Sequence, residues 1–411
     1  MRTIKTQFIV LLLAVVLVPS PMSAQPPATQ PYPLLFVHGF CGSVEAWTTM
    51  TTALRMGNPS RYGTTVSRVY FDTNEVWLHE GTTARRARDV FPAPDPTRRI
   101  FAIEFRGLTG SFEPLDVAQV PIAAKAIELK QVIDEIKRIT GQSKVIVVGH
   151  SMGGLVARWY IERGAGTRGY ESDVAALATI DTPHLGASVA TFTPFDAFTD
   201  CLLLPSVNKA ELIPGSATLT TLNTTPWRVD TPAASIASWQ SEFPNVKTDA
   251  VVDYNSQNLL SVYPQLAGTS VFLLDNPISL GPFRTILHIL VHQHPQTIGL
   301  VNLIVAAADR LQPTTPAPGA PQLTAIADGS GVVTLRWTPA ATGGAPLLYV
   351  LRGTYRDPVG RAIAFDFPVG NTMSIIVPPN LFGTFTVRVY GRNAAGEGPS
   401  SNEVTFAIAT P

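Results

Sequence analysis

Short apolar runs alternate with stretches of helical period through most of this sequence. Leu34-Leu35-Phe36-Val37, Ile100 to Phe105, Val145-Ile146-Val147-Val148, Val174 to Ile180, Ala234 to Trp239 and Val271 to Leu274 are mostly apolar, with little polar alternation. Strands covered on both faces read this way. Val66 to Tyr70 is a further candidate strand. Between them, Glu45 to Leu54 and Thr297 to Leu311 carry a helical pattern. From Asp116 to Thr140, the positions Ile122, Ala126, Leu129, Val132, Ile133 and Ile136 form one stripe, which Gly141 stops. Alternating strand and helix predict an α/β fold, a mostly parallel sheet flanked by helices. Functional groups then belong at the C-terminal ends of the strands. Residues 57–99 fit this rhythm poorly, and Arg85-Arg86-Ala87-Arg88 reads as a solvated face.

Three segments depart from the pattern. Residues 187–230 interleave Phe192, Phe195, Phe198, Leu202, Leu203 and Leu204 with Pro and Thr. They read either as core helices or as a cap laying an apolar face over a site. Residues 312–321 are a Pro-rich extended linker. Beyond it, Val332 to Trp337, Leu347 to Arg352, Ser374 to Val377 and Phe385 to Tyr390 are short alternating strands separated by turn residues, the signature of a small β-sandwich over 322–411. The N-terminus has Arg2 and Lys5, an apolar stretch from Phe8 to Val18 too short to span a bilayer comfortably, and small residues ending at Ala24. Residues 1–24 therefore read as a cleavable signal peptide, which leaves 25–311 as the α/β domain and predicts a secreted protein.

Composition agrees with export. Lys+Arg and Asp+Glu both number 30, charged residues are only 15%, and Gly 31 with Pro 35 is high. No basic cluster argues for nucleic acid, and no transmembrane segment is expected in the mature chain. The two cysteines, Cys41 and Cys201, are candidates for a disulfide in an oxidising compartment.

The chemistry centres on Gly149-His150-Ser151-Met152-Gly153. An apolar strand leads into this G-x-S-x-G and a helical segment leaves it. Only small flanking residues let such a turn close, and the strained geometry lifts the serine Oγ above the sheet. A serine hydroxyl needs a base, and the base needs an orienting carboxylate. In this fold the chain order is Ser, acid, His. Of seven histidines, His38 and His150 belong to turns, and His79 and His184 precede the acid candidates. His288 lies on the loop where the base should hang. His292 and His294 lie further on, and their His-x-His lacks a third ligand of suitable spacing for a metal. Asp249 is the preferred acid and Asp253 the alternative; Asp275 comes after the next strand. His38-Gly39-Phe40 ends the first strand, where Gly39 permits close approach of backbone. The oxyanion hole would then be the N–H groups of Phe40 and Met152.

These residues resemble a known family. Phe36-Val37-His38-Gly39-Phe40 is similar to its oxyanion "VHGF", and Gly149 to Gly154 is similar to its "GHSMGG" box. Thr182-Pro183-His184-Leu185-Gly186, Leu212-Ile213-Pro214-Gly215-Ser216 with Leu222-Asn223, Asp249-Ala250-Val251-Val252 and His288-Ile289-Leu290-Val291 come in the family's order. The first part of the chain thus resembles the α/β-hydrolase superfamily, in its bacterial lipase and GPI-deacylase-like branch. Asp253 stands where that family often has Pro. The resemblance implies a serine ester hydrolase, a lipase or carboxylesterase, with Ser151 as nucleophile, His288 as base and Asp249 as acid. The substrate that the resemblance implies is an ester or lipid, presented at an interface or an insoluble surface, and it implies no cofactor. A polyester depolymerase and a non-catalytic binding protein are the alternatives. Residues 322–408 resemble a fibronectin type III module. Trp337 is its core Trp, Val387 to Ser400 carries its late motif, and Phe385 stands at the corner tyrosine.

Overall fold

The computed structural model describes residues 30–80, 83–187, 205–228, 230–242, 244–245, 247–279, 287–312, 317–328, 332–377, 382–393 and 395–409. Nine strands form the larger sheet: β1 (Leu34–Val37), β2 (Val66–Asp72), β3 (Glu75–Glu80), β4 (Thr83–Arg86), β5 (Ile100–Ile103), β6 (Val145–His150), β7 (Val174–Ile180), β8 (Ala233–Gln240) and β9 (Val271–Ile278). Their order is β4-β3-β2-β5-β1-β6-β7-β8-β9. All neighbours from β2 to β9 are parallel, and β3 and β4 extend the β2 edge antiparallel. This hairpin edge is the part of 57–99 that the apolar pattern does not predict. Thr73 and Asn74 make the turn between β2 and β3, with φ 46° and 65°. Two left-handed residues match the twist of the paired strands, but Thr-Asn is a weaker turn signal than Asn-Gly. Arg85 and Arg86 are exposed on this edge, where charge discourages further strand pairing.

Apolar runs without alternation are explained by the two cores. Leu35, Val37, Val145 and Val147 pack on one face with the helices α2 (Ile122–Thr140) and α3 (Met152–Arg163). Their neighbours Leu34, Phe36, Ile146 and Val148 pack on the other with α1 (Thr48–Gly57) and α6 (Pro295–Arg310). Successive strand residues point to opposite faces, so a strand covered on both sides must be apolar throughout. The helix expected from Asp116 begins instead at Ile122. Pro121, extended at φ −60° and ψ 152°, separates it from a single turn at Pro114–Val117. Gly141, at φ 71°, ends it as expected. Of 187–230, residues 188–204 lie outside the described residues. Two short helices come after them, α4 (Val207–Glu211) and α5 (Ala217–Thr224), capped by the Ser206 and Ser216 hydroxyls.

The C-terminal strands β10 (Gln322–Ala327), β11 (Val333–Thr338), β12 (Leu348–Arg356), β13 (Ala362–Gly370), β14 (Ser374–Val377), β15 (Gly383–Asn393), β16 (Gly396–Ser400) and β17 (Val404–Ile408) form an antiparallel sandwich. One sheet is β10-β11-β14; the other is β13-β12-β15-β16, with β17 also on β15. Trp337, Tyr349 and Val389 are buried between them. Phe385 stacks on Tyr355 and Phe406 at 4.8 and 5.1 Å. The Tyr355 hydroxyl bonds the Phe382 carbonyl at 2.8 Å. Among the described residues, no helix is long and apolar enough to cross a membrane.

Candidate active site

Ser151 sits between β6 and α3 with φ 52° and ψ −126°. A non-glycine residue held there is strained. The strain is maintained by packing that tolerates no side chain. A Cβ on Gly153 would strike the carbonyls of Val37 and His38, and one on Gly149 would meet the Gly154 nitrogen at 2.6 Å. The Ser151 N–H donates to the Ile180 carbonyl at 2.9 Å. A Cβ on Gly39 would lie 2.9 Å from the Ser151 Cβ, so the turn after β1 runs against the serine. That brings the Phe40 backbone beside it. Met152 opens α3, so its N–H is one of the helix-start amides with no acceptor inside the helix. The helix dipole points its positive end at the same place.

His288 lies in a short helical turn, Leu287–Leu290, and is buried. Its Nε2 is 2.9 Å from the Ser151 Oγ, and its Nδ1 is 2.5 Å from the Asp249 Oδ2. A carboxylate only accepts, so Nδ1 carries the proton and Nε2 presents a lone pair to the serine hydroxyl. Asp249 is fully buried. It stands not at a strand end but on a turn beyond β8, where Ala250 has φ 78°. That turn aims the N–H groups of Val251 and Val252 at the Asp249 Oδ1, at 2.8 and 2.7 Å. The backbone N–H of His288 also donates to the Asp249 carbonyl, at 3.1 Å. Asp253, the alternative acid, instead opens the one-turn helix Tyr254–Gln257, and its carbonyl accepts from Ser256 and Gln257. Asp275 lies within β9 and accepts from Trp239 Nε1 at 2.9 Å.

The remaining histidines support the loops. His150 donates from Nε2 to the His288 carbonyl at 2.9 Å; burial, then the His288 charge, push its pKa far down and keep it neutral. His38 is pushed down to about 4, chiefly by burial, and His292 to about 4 by burial and then by His288. His292 packs on Trp47 at 5.5 Å. His294 caps α6, accepting from Gln296 N–H at 3.3 Å. The two side chains thus have separate partners. Glu104, after β5, accepts from Val44 N–H at 2.9 Å and so ties down the loop beyond Phe40. Burial raises its pKa to about 7.

His184 of the Thr-Pro-His segment is fully buried and accepts from the Arg158 guanidinium at 3.2 Å. Arg158 also pairs with Glu162 at 2.8 Å and reaches Asn223 and the Tyr263 hydroxyl. Asn223 donates to the His184 carbonyl at 2.9 Å. The separated motifs at 182–186 and 222–223 are thus two ends of one network around α3. Asp134, Glu171 and Asp173 also cluster, but Lys130 Nζ lies 2.8 and 3.0 Å from the last two, so an ammonium fills that site. Cys41 comes after the Phe40 turn with φ 56°. Cys201, and with it the expected bridge, lies outside the described residues.

Residues 82–205 match the family model for the alpha/beta hydrolase fold, the fold that the sheet order and the strand-serine-helix turn describe. Residues 82–205 therefore lie in an α/β-hydrolase fold, and the C-terminal strands form an antiparallel β-sandwich. Among solved structures, the lin2722 gene product of Listeria innocua is 18% identical over 67% of this chain and 94% of its own, with a TM-score of 0.42. Bacillus licheniformis lipase BlEst2 in mature form is 15% identical over 69% and 96%, with a TM-score of 0.41. The FN5 domain of Drosophila Lar is 19% identical over 23% of this chain and all of its own, with a TM-score of 0.18. No curated protein sequence matches the chain.

Proposed function

We propose that this chain is a secreted serine ester hydrolase, a lipase or carboxylesterase, in which Ser151 is the nucleophile, His288 the base and Asp249 its orienting acid. The observation that carries the reading is the unbroken chain from Ser151 Oγ through the His288 ring to Asp249, at 2.9 and 2.5 Å. Ser151 Oγ attacks the ester carbonyl carbon as its proton passes to His288 Nε2. The Phe40 and Met152 N–H groups receive the oxyanion. The carbon–oxygen bond to the alcohol then breaks, and His288 returns the proton to the departing alkoxide. Water, deprotonated by His288, attacks the acyl-enzyme, releases the acid and restores Ser151. No cofactor takes part. The substrate is an ester or lipid, presented at an interface or insoluble surface, and export through the leader at 1–24 belongs to the same reading.

The test is hydrolysis of p-nitrophenyl esters of short to long acyl chain by the wild type and Ser151→Ala. The wild type turns over, and the variant loses at least about a thousandfold in kcat. The chain-length optimum separates lipase from carboxylesterase. Equal activity in the two proteins would overturn the assignment.

A further inference from the structure

Asp181 comes directly after β7 and has no part in the ester-hydrolysis steps. It is fully buried, with φ 47°. Its Oδ1 accepts the Ser238 N–H at 2.9 Å. Among the described residues, its Oδ2, taken as a carboxylate oxygen, is buried with no hydrogen-bond partner. One oxygen of Asp181, one of Asp249 and a ring nitrogen of His288 all lie within 4.8 Å of one another. Two carboxylates buried this close repel each other, which favours a proton held between them. Its location is set by the donors. Asp249 receives two backbone N–H groups and the His288 ring, whereas Asp181 receives one backbone N–H. The better-solvated carboxylate is Asp249, and the proton stays on Asp181.

We propose that Asp181 is a positioning residue for the Asp249–His288 pair, its protonated carboxyl donating a hydrogen bond from Oδ2 to the Asp249 carboxylate. This rests on the reading of those two residues as acid and base. Asp249 presents four acceptor sites; the turn and His288 occupy three, and Asp181 supplies a fourth donor. The carboxylate is then gripped from two sides and cannot rotate away from His288. Burial, and next the Asp249 charge, push the Asp181 pKa far above the usual carboxylate range, which agrees with the geometry. Among the described residues, the titratable groups clustered with Asp181 are Asp249 and His288. Ser238 of β8 and Gln257, whose Oε1 shares the Ser238 N–H at 2.6 Å, are neutral.

The test compares the wild type with Asp181→Asn, whose amide keeps a donor but cannot titrate, and with Asp181→Ala, which removes it. Infrared spectra of the resting proteins at neutral pH come first, since they do not depend on turnover. The wild type shows one more protonated-carboxyl carbonyl band than Asp181→Asn. In ester hydrolysis, Asp181→Asn keeps kcat within about twofold and loses an alkaline limb of the wild-type pH profile. Asp181→Ala loses about ten- to a hundredfold in kcat with KM unchanged, as removal of a positioning partner does. Identical carbonyl bands in wild type and Asp181→Asn would overturn the proposal, as would wild-type kcat in Asp181→Ala. If Asp181→Ala does not fold, the Asp181→Asn spectrum and profile decide. If the wild type hydrolyses no ester, the parent reading fails separately and the spectra still locate the proton.

Discussion

Folding changes the charge state of several buried residues in the hydrolase fold, His38, His292 and Glu104 among them. His38 and His292 are held neutral, with pKa values near 4 against about 6.5 in an unfolded chain. Between those values the unfolded chain binds more protons than the folded one. The stability each residue supports is therefore fully present above about 6.5 and is lost as the pH falls toward 4. Glu104 runs the other way. Its folded value, near 7, makes the folded chain the better proton binder, and its burial costs stability as the pH rises through that window. A single substitution separates the two effects. Relative to wild type, His292→Phe gains about 2 kcal/mol more at about pH 5 than at about pH 8, checked by urea unfolding at both. An equal difference at the two pH values would mean that His292 is not held neutral.

The site is made where elements meet end to end. The turn after β1 and the turn before α3 touch through Gly39 and Ser151, and a Cβ on Gly39 would fall 2.9 Å from that of Ser151. Gly39→Ala pushes the two turns apart, moving the Phe40 amide relative to the serine. Displacements of this size cost about a hundredfold in rate. We expect kcat to fall by that order with little change in thermal midpoint, measured by ester hydrolysis beside a melting curve. Of the seven parallel strands, β1, β5, β6, β7 and β8 are legible from sequence because double burial forces continuous apolar runs; β9, at the sheet edge, is legible only by its short Val271 to Leu274 run. The β3–β4 hairpin is not. It is half-exposed, the turn that leads into it from β2 is Thr73-Asn74, and its strands carry Glu, His and Arg. The helix start at Ile122 is masked by a periodicity that continues across Pro121.

At the scale of the whole molecule, one cation joins the two folds. Arg352 of β12 pairs with Glu397 at 3.0 Å and Asp366 at 3.1 Å within the sandwich, and reaches Glu171 of the hydrolase fold at 3.3 Å. Ser143 bonds the Ala395 carbonyl close by. Residues 143 and 171 precede β6 and β7, so this junction is at the opposite end of the sheet from Ser151. Glu171 is held down to about 2, against burial, by Lys130 and then by Arg352 and Arg168. Its contribution is present above the ordinary glutamate range and is lost as the pH falls toward 2. Arg352→Ala leaves Glu397 with Arg392 alone, at 2.9 Å, and destabilises the sandwich by about 1.5–3 kcal/mol. The linker at 317–321 then becomes more sensitive to protease while ester hydrolysis is unchanged. Loss of activity with an intact linker would contradict this layout.

The sequence by itself determines what is local or periodic. It specifies an α/β order of strands, a separate β-sandwich after a Pro-rich linker, and a serine at a turn that only small neighbours can close. Those features depend on residues a few positions apart. The tertiary structure decides which acid faces which base. Asp249 and Asp253 differ little as sequence, yet a left-handed Ala250 turns one inward and the other onto a helix start. It also decides that Asp181 lies beside Asp249. In sequence Asp181 is only a strand-ending aspartate, and nothing near it in the chain forecasts a second carboxyl. Its chemistry arises from burial and from a like charge brought across from another loop, which are properties of the packed molecule alone.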